Sequence, residues 1–449
     1  MSLQFIFGNS GSGKSHYLYQ QIVEESIRHP EKNYLVLVPE QFTMQTQKDL
    51  CMAHPRGGIM NIDVLSFGRL AHRVFEETGK ERQPILDDEG KNLVLRKIAG
   101  NYEDELTVLK GNLKKQGYIS EVKSVISEFT QYGIDFEQLD SFMEGLNPES
   151  YLYYKLKDIR KVYEGFEDYL RDKYITKEEL LDVLSQNVQE AKMLKDSVIA
   201  MDGFTGFTPV QNRLIGELLK VCDKIMLTVE IDRREDPFVY KHPYQLFALS
   251  KQMVTSLTEV AQEVKVEIDE PVWLCKNPPY RFKENPEMAF LEEELFRYSR
   301  RKYSGEKMQS ISLHEVHTPQ EEAQYVAEEI RRLVREEGYR YREIAVIASD
   351  LNTYADSLEK ACERYEIPVF MDHKKSILLN SFVEYLRSLL VMVEQNYTYE
   401  SVFRYLRTSL CGFTRDEVDR LENYCLALDL KGFKKWDQVW VRKTPMTKK

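Results

Sequence analysis

MSLQFIFGNSGSGKSHYLYQQIV, residues 1–23, is the stretch on which the fold turns. LQFIF is a short apolar run that ends at Gly8, and HYLYQQIVEESIRH after the loop spaces Leu18, Ile22 and Ile27 as a helix does. Between them Gly8, Asn9, Ser10, Gly11, Ser12, Gly13, Lys14 and Ser15 fill every fixed position of G-x-x-x-x-G-K-[ST], in the strand–loop–helix setting that this motif requires. Glycines let backbone N–H groups wrap phosphate oxygens, and a helix N-terminus adds positive potential. Lys14 is expected to neutralise the outer phosphates of ATP, and Ser15 to ligate Mg²⁺.

Outward from the loop, NYLVLVPEQ reads as a buried parallel strand and IMNIDVLSF as a third strand leading into the helix GRLAHRVFEETG. Strands alternating with helices predict a doubly wound α/β sheet. From about Pro84 to Asp196 the texture is charged and helix-periodic. The sheet resumes at DSVIAMDGF, where Asp202 is a second expected Mg²⁺ ligand, and continues at DKIMLTVEID. PVWLCKNPPYRF reads as a linker or surface loop. A second α/β pattern follows, with strands at ISLHEVHTP, EIAVIAS and IPVFMD, and then helices only.

Net charge is −11, from 62 basic and 73 acidic residues. That excludes a uniformly basic nucleic-acid binder and leaves room for a local basic groove. Six cysteines without a C-x-x-C pair predict neither a disulfide framework nor a zinc site, as in a reducing cytosol. No run of 18 apolar residues predicts a membrane span, and the few residues before the first strand leave no room for a signal peptide. The charge runs, such as EEIRRLVREEGYRYRE and the acidic stretch near Lys283–Glu294, read as solvated helix faces. The tyrosines of residues 151–169 read as packing.

The loop and its surroundings resemble the UvrD-like superfamily-one helicases. Their second signature reads like V-D-E-F-Q-D-T-N-P-L-Q. Here the stretch is Met201-Asp202-Gly203-Phe204-Thr205-Gly206-Phe207-Thr208-Pro209-Val210-Gln211. Gly203 stands where the water-polarising glutamate is expected, so no catalytic residue is assigned. The family's T-F-H-S motif appears as Ser66-Phe67-Gly68-Arg69, and Ser349 stands where a γ-phosphate arginine is expected. In detail, FGNSGSGKS, LVPEQFTMQ, DVLSFGRLA and DGFTGFTPVQ resemble the B subunits of AddAB helicase–nucleases over essentially all 449 residues.

That resemblance implies a RecA-like P-loop helicase fold with a large helical insertion, plus a partial second RecA-like domain with further helices. The first domain is expected over residues 1–83 and, with a linker, 196–307. The insertion covers 84–195, the partial second domain 308–378, and a helical segment of a second insertion 379–449. It further implies a cytoplasmic, DNA-binding subunit in double-strand-break repair by homologous recombination. Such a subunit pairs with an AddA-type motor and nuclease subunit, meets single- and double-stranded DNA, and reads the Chi sequence in the 3′-ended strand. ATP and Mg²⁺ are the implied cofactors. The C-terminal exonuclease domain of such subunits, with its 4Fe–4S cluster, has no counterpart here, and the cysteine spacing fits no cluster. The alternative is a self-standing P-loop ATPase, helicase or kinase with its water-polarising group supplied elsewhere.

DNA contacts are expected from loops that follow strand ends, where open α/β sheets present ligands. Gln41 and Thr43 follow the second strand, with strand-end capping as the plainer alternative. Phe67 and Arg69 follow the third: an aromatic to stack a base, or to pack in the core, beside an arginine for a phosphate or guanine edge. Phe207 lies in a glycine-flanked loop after Asp202. By resemblance this set lines the Chi-reading tunnel. His72 is a lesser candidate, read first as a surface or core-edge histidine.

Overall fold

The computed structural model of the protein describes residues 1–79, 84–113, 115–171, 173–305, 308–372 and 375–441. The chain divides into two units, Met1–Ser312 and Leu313–Lys449.

In the first unit strand β1 (Ser2–Gly8) leads through the glycine loop into helix α1 (Lys14–Arg28). Strand β2 (Tyr34–Leu37), strand β3 (Ile62–Leu65) and helix α3 (Phe67–Thr78) follow as the hydrophobic pattern predicts, with helix α2 (Thr43–Ala53) between the two strands. Strand β4 (Ile85–Leu86) then opens a helical stretch: α4 (Asp88–Asn101), α5 (Gln116–Tyr132), α6 (Phe136–Glu144) and α7 (Tyr151–Leu170). Strand β5 (Ile175–Thr176) pairs back onto β4, and α8 (Leu180–Asn187) returns the chain to the sheet. Strand β6 (Val198–Met201), helix α9 (Pro209–Leu219), strand β7 (Lys224–Glu230) and helix α10 (Ala248–Glu263) complete the main layers. The short strands β8 (Glu267–Ile268) and β9 (Val272–Trp273) precede helix α11 (Pro286–Glu294).

The sheet order is β3-β2-β6-β7-β1-β8, with β9 also on β1, and every pairing is parallel. Parallel strands need both faces covered, and period-two alternation supplies both. Leu3, Phe5, Phe7, Leu35, Leu37, Ile199, Met201 and Leu227 face one layer, packed with residues of α3, α8, α9 and α10. Ile6, Tyr34, Val36, Val198, Ala200 and Met226 face the other, with Leu18 and Ile22 of α1 and Leu50 of α2. Each fully buried Leu, Ile, Val, Phe or Met side chain among them stabilises the fold by about 1.5–3 kcal/mol. The sheet thereby fixes the carboxyl ends of β1, β6 and β7 side by side, and these carry the glycine loop, Asp202 and Glu230.

The helices α4 to α7 have a core of their own, built on Leu95, Val122, Ile126, Ile159 and Phe166. Buried Asp158 organises it. Its carboxylate accepts the backbone N–H groups of Thr107, Val108 and Leu109 at 2.7–3.0 Å. Burial, together with the nearby Glu179 and against the pull of Arg171, pushes the Glu167 carboxyl up to about 7 from an ordinary 4.5. A carboxyl raised on folding binds its proton more tightly in the native state. Its contribution is therefore present at low pH and is lost as pH rises from about 4.5 through 7. Glu167 is partly exposed, so solvent screening holds the loss to about 1–2 kcal/mol. Urea unfolding at pH 5 and pH 8 checks this: Glu167→Gln is expected to remove that part of the pH dependence.

The second unit departs from expectation. Helices α12 (Pro319–Glu336) and α13 (Leu351–Arg364) form as predicted, packed through Ala323, Ala327, Ile330, Leu358 and Cys362. The strands expected at ISLHEVHTP, EIAVIAS and IPVFMD do not: no described residue of these stretches joins a ladder. Val346, Ile347, Val369 and Phe370 stand half or more exposed. β propensity is realised only through pairing with a neighbour, and none of these runs has one among the described residues. Helices α14 (Ser381–Glu394), α15 (Tyr399–Leu406), α16 (Arg415–Leu428) and α17 (Phe433–Trp436) follow, gathered around Phe403, Val418 and Cys425. No described helix is long and apolar enough to cross a membrane.

Candidate nucleotide cleft and its rim

At the carboxyl edge of the sheet an open cleft of about 530 Å³ is lined by Ser10, Gly11, Gly13, Lys14 and Ser15 of the loop, by Asp202–Thr205, by Thr228 and Glu230, and by Tyr280 and Arg281. The loop is tight: Ser12 N–H donates to the Asn9 carbonyl at 3.2 Å, and the Lys14 ammonium folds back onto the same carbonyl at 2.9 Å. Burial lowers the Lys14 pKa, opposed first by the Glu230 carboxylate and then by Asp202. Two buried loop atoms, Asn9 Oδ1 and Ser12 Oγ, have no partner among the described residues. Asn9 Nδ2 donates to Glu292 Oε2 of α11 at 2.8 Å.

Asp202 is buried just past β6. Its N–H donates to the Leu37 carbonyl at 3.1 Å, which fixes its depth in the sheet. Both of its oxygens are engaged. Tyr19 of α1 donates to Oδ2 at 2.7 Å and Thr228 of β7 donates to Oδ1. A carboxylate accepts about four hydrogen bonds or metal contacts, so Asp202 retains capacity on each oxygen. With Ser15 on the same cleft wall, the donor set is the all-oxygen kind that Mg²⁺ takes. Tyr19 is pushed well above its ordinary range, first by burial and then by Asp202, and so stays a protonated donor. Gly203 follows with φ +76° in the left-handed region and an exposed backbone, and it offers no side chain to orient water.

Residues 272–282 form the surface loop of the two alternatives, tied to the sheet and to the glycine loop. β9 pairs with Ile6 and Phe7, Leu274 N–H donates to the Phe7 carbonyl at 2.8 Å, and Arg281 N–H donates to the Gly11 carbonyl at 3.0 Å. Gly11 has to be glycine. Its φ is +73°, and a Cβ there would meet the Arg281 Cβ at 2.9 Å. Tyr280 and Arg281 therefore stand at the mouth of the cleft. Sequence reading misses them, and it misses Thr228, Tyr19 and Glu230. Thr228 leaves a trace, as a polar residue inside the apolar run IMLTV.

The expected DNA-contact residues separate into two groups. Gln41 and Arg69 are exposed, and Phe207 is half-buried at the rim. Thr43 and Phe67 are buried. Thr43 Oγ1 donates to the Glu40 carbonyl at 3.0 Å, within the turn that leads from β2 into α2. Phe67 packs against Phe204 (centroids 5.5 Å) and edge-on to Phe207 (6.2 Å). Its ring belongs to the core, because Ser66 caps α3 and turns the first helical residue inward. His72 is exposed on α3. Phe42, half-exposed beside Gln41, lies near Gly203, and nothing in the sequence pattern marks it. Gln211, a surviving signature residue, closes a capping box with Thr208 at the start of α9. Ser349 lies exposed in the unpaired stretch of the second unit.

Residues 283–441 match the UvrD-like helicase C-terminal domain. Residues 5–292 match the family described as ADDB, N-terminal, and the chain belongs to that family. Among curated proteins, it is 42% identical over 446 residues to a protein of Lachnoclostridium phytofermentans, covering 99% of this chain and 39% of that one. It is 34% identical over 446 residues to a protein of Clostridium perfringens, covering 98% of this chain and 38% of that one. Each of the two is named as the B subunit of an ATP-dependent helicase/deoxyribonuclease. The chain thus spans about two fifths of the length of these relatives.

Proposed function

We propose that this chain is the helicase-like, DNA-contacting part of a B subunit in a break-resecting helicase–nuclease, and that it binds Mg·ATP without turning it over efficiently. Its sheet is read as a RecA-like P-loop domain interrupted by a helical insertion, and its second unit as part of a second such domain. Lys14 and the loop N–H groups hold the phosphates, Ser15 and Asp202 hold Mg²⁺, and Tyr280 and Arg281 close the mouth of the cleft. One observation carries the reading: a complete phosphate loop faces an aspartate followed by a glycine in a left-handed conformation. The pocket retains binding groups and lacks the adjacent side chain that would take a proton from water. An AddA-type subunit supplies the motor, and exonuclease activity belongs to sequence outside this chain.

The rim of Gln41, Arg69 and Phe207 reads Chi in the 3′-ended strand, with Phe67 holding Phe207 in place. Arg69→Ala and Phe207→Ala, in the reconstituted two-subunit enzyme, are expected to blunt the Chi response while unwinding stays near wild type. Losses of about 1–3 kcal/mol per stacked base make this measurable in a resection assay on DNA with and without Chi. Chi-dependent fragments at wild-type levels from both variants would remove the rim from the account.

A second reading is a self-standing ATPase, and one residue favours it. Glu230 lies on the cleft wall one strand from Asp202, two residues beyond Thr228 and so on the same face of β7. It is a carboxylate that could orient water in place of Gly203. Against this, Glu230 is the leading counter-charge of Lys14.

A further inference from the structure

The segment leaving α11 reads Leu295-Phe296-Arg297-Tyr298-Ser299-Arg300-Arg301-Lys302-Tyr303, with four cations, three aromatics and no acid. Its side chains divide by direction. Arg297 turns inward: it donates to Asp232 Oδ2 at 2.6 Å, approaches Glu235 at 3.7 Å and lies over the Phe247 ring at 5.0 Å. Arg301 pairs with Glu294 at 2.6 Å, and Tyr303 packs on Phe290 with centroids 5.5 Å apart. Further on, the Glu287 carboxylate accepts the N–H groups of Gln309 and Ser310. The segment is fastened on both sides.

Between these anchors Phe296, Tyr298, Arg300 and Lys302 are exposed, Phe296 at 74% and Tyr298 completely. Phe296 and Tyr298 have φ of +59° and +55°, a left-handed conformation uncommon for bulky side chains. Neither Arg300 nor Lys302 has an acidic partner among the described residues. Lys302 also lines an open cleft of about 520 Å³ with Lys283, Arg301, Phe282 and Phe290, against the single acid Glu293.

Accepting the reading of this chain as a DNA-contacting subunit, we infer that residues 296–302 form a second contact for single-stranded DNA, separate from the rim. Phe296 and Tyr298 stack on unpaired bases, and Arg300, Lys302 and Lys283 hold the backbone phosphates. Two exposed aromatics followed by two exposed cations match a strand whose bases are free. Duplex bases are already stacked, so they have no face to offer these rings. The local cations also supply the attraction that an overall charge of −11 withholds.

The test is fluorescence anisotropy with a labelled oligothymidylate and the 449-residue chain, compared with a blunt duplex and repeated across salt. Phe296→Ala with Tyr298→Ala is expected to weaken single-strand binding about tenfold and duplex binding far less. Arg300→Gln with Lys302→Gln is expected to reduce the salt slope by about 1.4. All four side chains are exposed, and thermal melting checks that the variants fold. Wild-type affinity in both double variants overturns the inference. If Arg69→Ala alone weakens binding, the rim stands and this segment does not. If the double variants weaken it and Arg69→Ala does not, the segment stands alone. A wild-type chain that binds no single strand overturns both.

Discussion

Lys14→Ala is expected to weaken Mg·ATP binding by at least one to two orders of magnitude in a calorimetric titration. A charge-assisted phosphate contact contributes about 1.5–3 kcal/mol. The cleft makes the upper end the expected one. Glu230 is the leading counter-charge of Lys14 and lines the same cleft, so removing the lysine leaves a carboxylate facing the incoming phosphates. The same variant should keep its fold. Burial already disfavours the Lys14 charge, and among the described residues its ammonium donates to the Asn9 carbonyl of its own loop alone. Thermal melts separate the two effects. ATP should raise the Tm of the wild-type chain through linkage and leave that of Lys14→Ala unmoved. Equal ATP-induced shifts in both would mean that the nucleotide sits elsewhere.

Turnover is expected at background, with or without single-stranded DNA, and Gly203→Glu is not expected to restore it. A general base contributes about 10²–10⁴-fold, and residue 203 offers none. The obstacle to adding one is conformational. At Gly203 a Cβ would meet only Pro39 and Phe42, at 3.7 and 3.9 Å, so space is available. Its φ of +76° is the difficulty, since the left-handed region costs a residue with a Cβ about 1–2 kcal/mol. A glutamate there either destabilises the loop or swings it away from Asp202. Glu230→Gln is the control for the self-standing ATPase. It should leave the rate unchanged, whereas an enzyme that used Glu230 as its base would lose its activity with that substitution.

What can be read in the sequence is what lies close together along it. Strand β1, the glycine loop and α1 are contiguous, so spacing alone places Lys14 and Ser15. Asp202 is legible because a buried strand ends just before it. Tyr280 and Arg281 are not, because they reach the loop only through β9 pairing with β1 across more than 260 positions of sequence. The partners of Asp202 come from two other elements, and only Thr228, a hydroxyl in an apolar strand, leaves a signal. Phe67 shows the converse. Its place after a strand looks like a ligand position, yet the Ser66 cap starts the helix at that residue and commits the ring to the core. The unpaired runs of the second unit fail for another reason: a strand is a relation between segments, and the pattern EIAVIAS cannot name its neighbour.

A nucleotide cleft that holds ATP and leaves it intact makes a direct kinetic prediction. The most direct measurement is a single-turnover experiment with γ-labelled ATP, the chain in excess, Mg²⁺ present, and single-stranded DNA added or withheld. ATP is expected to be bound in a Lys14-dependent way and recovered unhydrolysed. Phosphate release at about 1 s⁻¹ or faster, within the usual enzyme range, and abolished by Lys14→Ala, would contradict it.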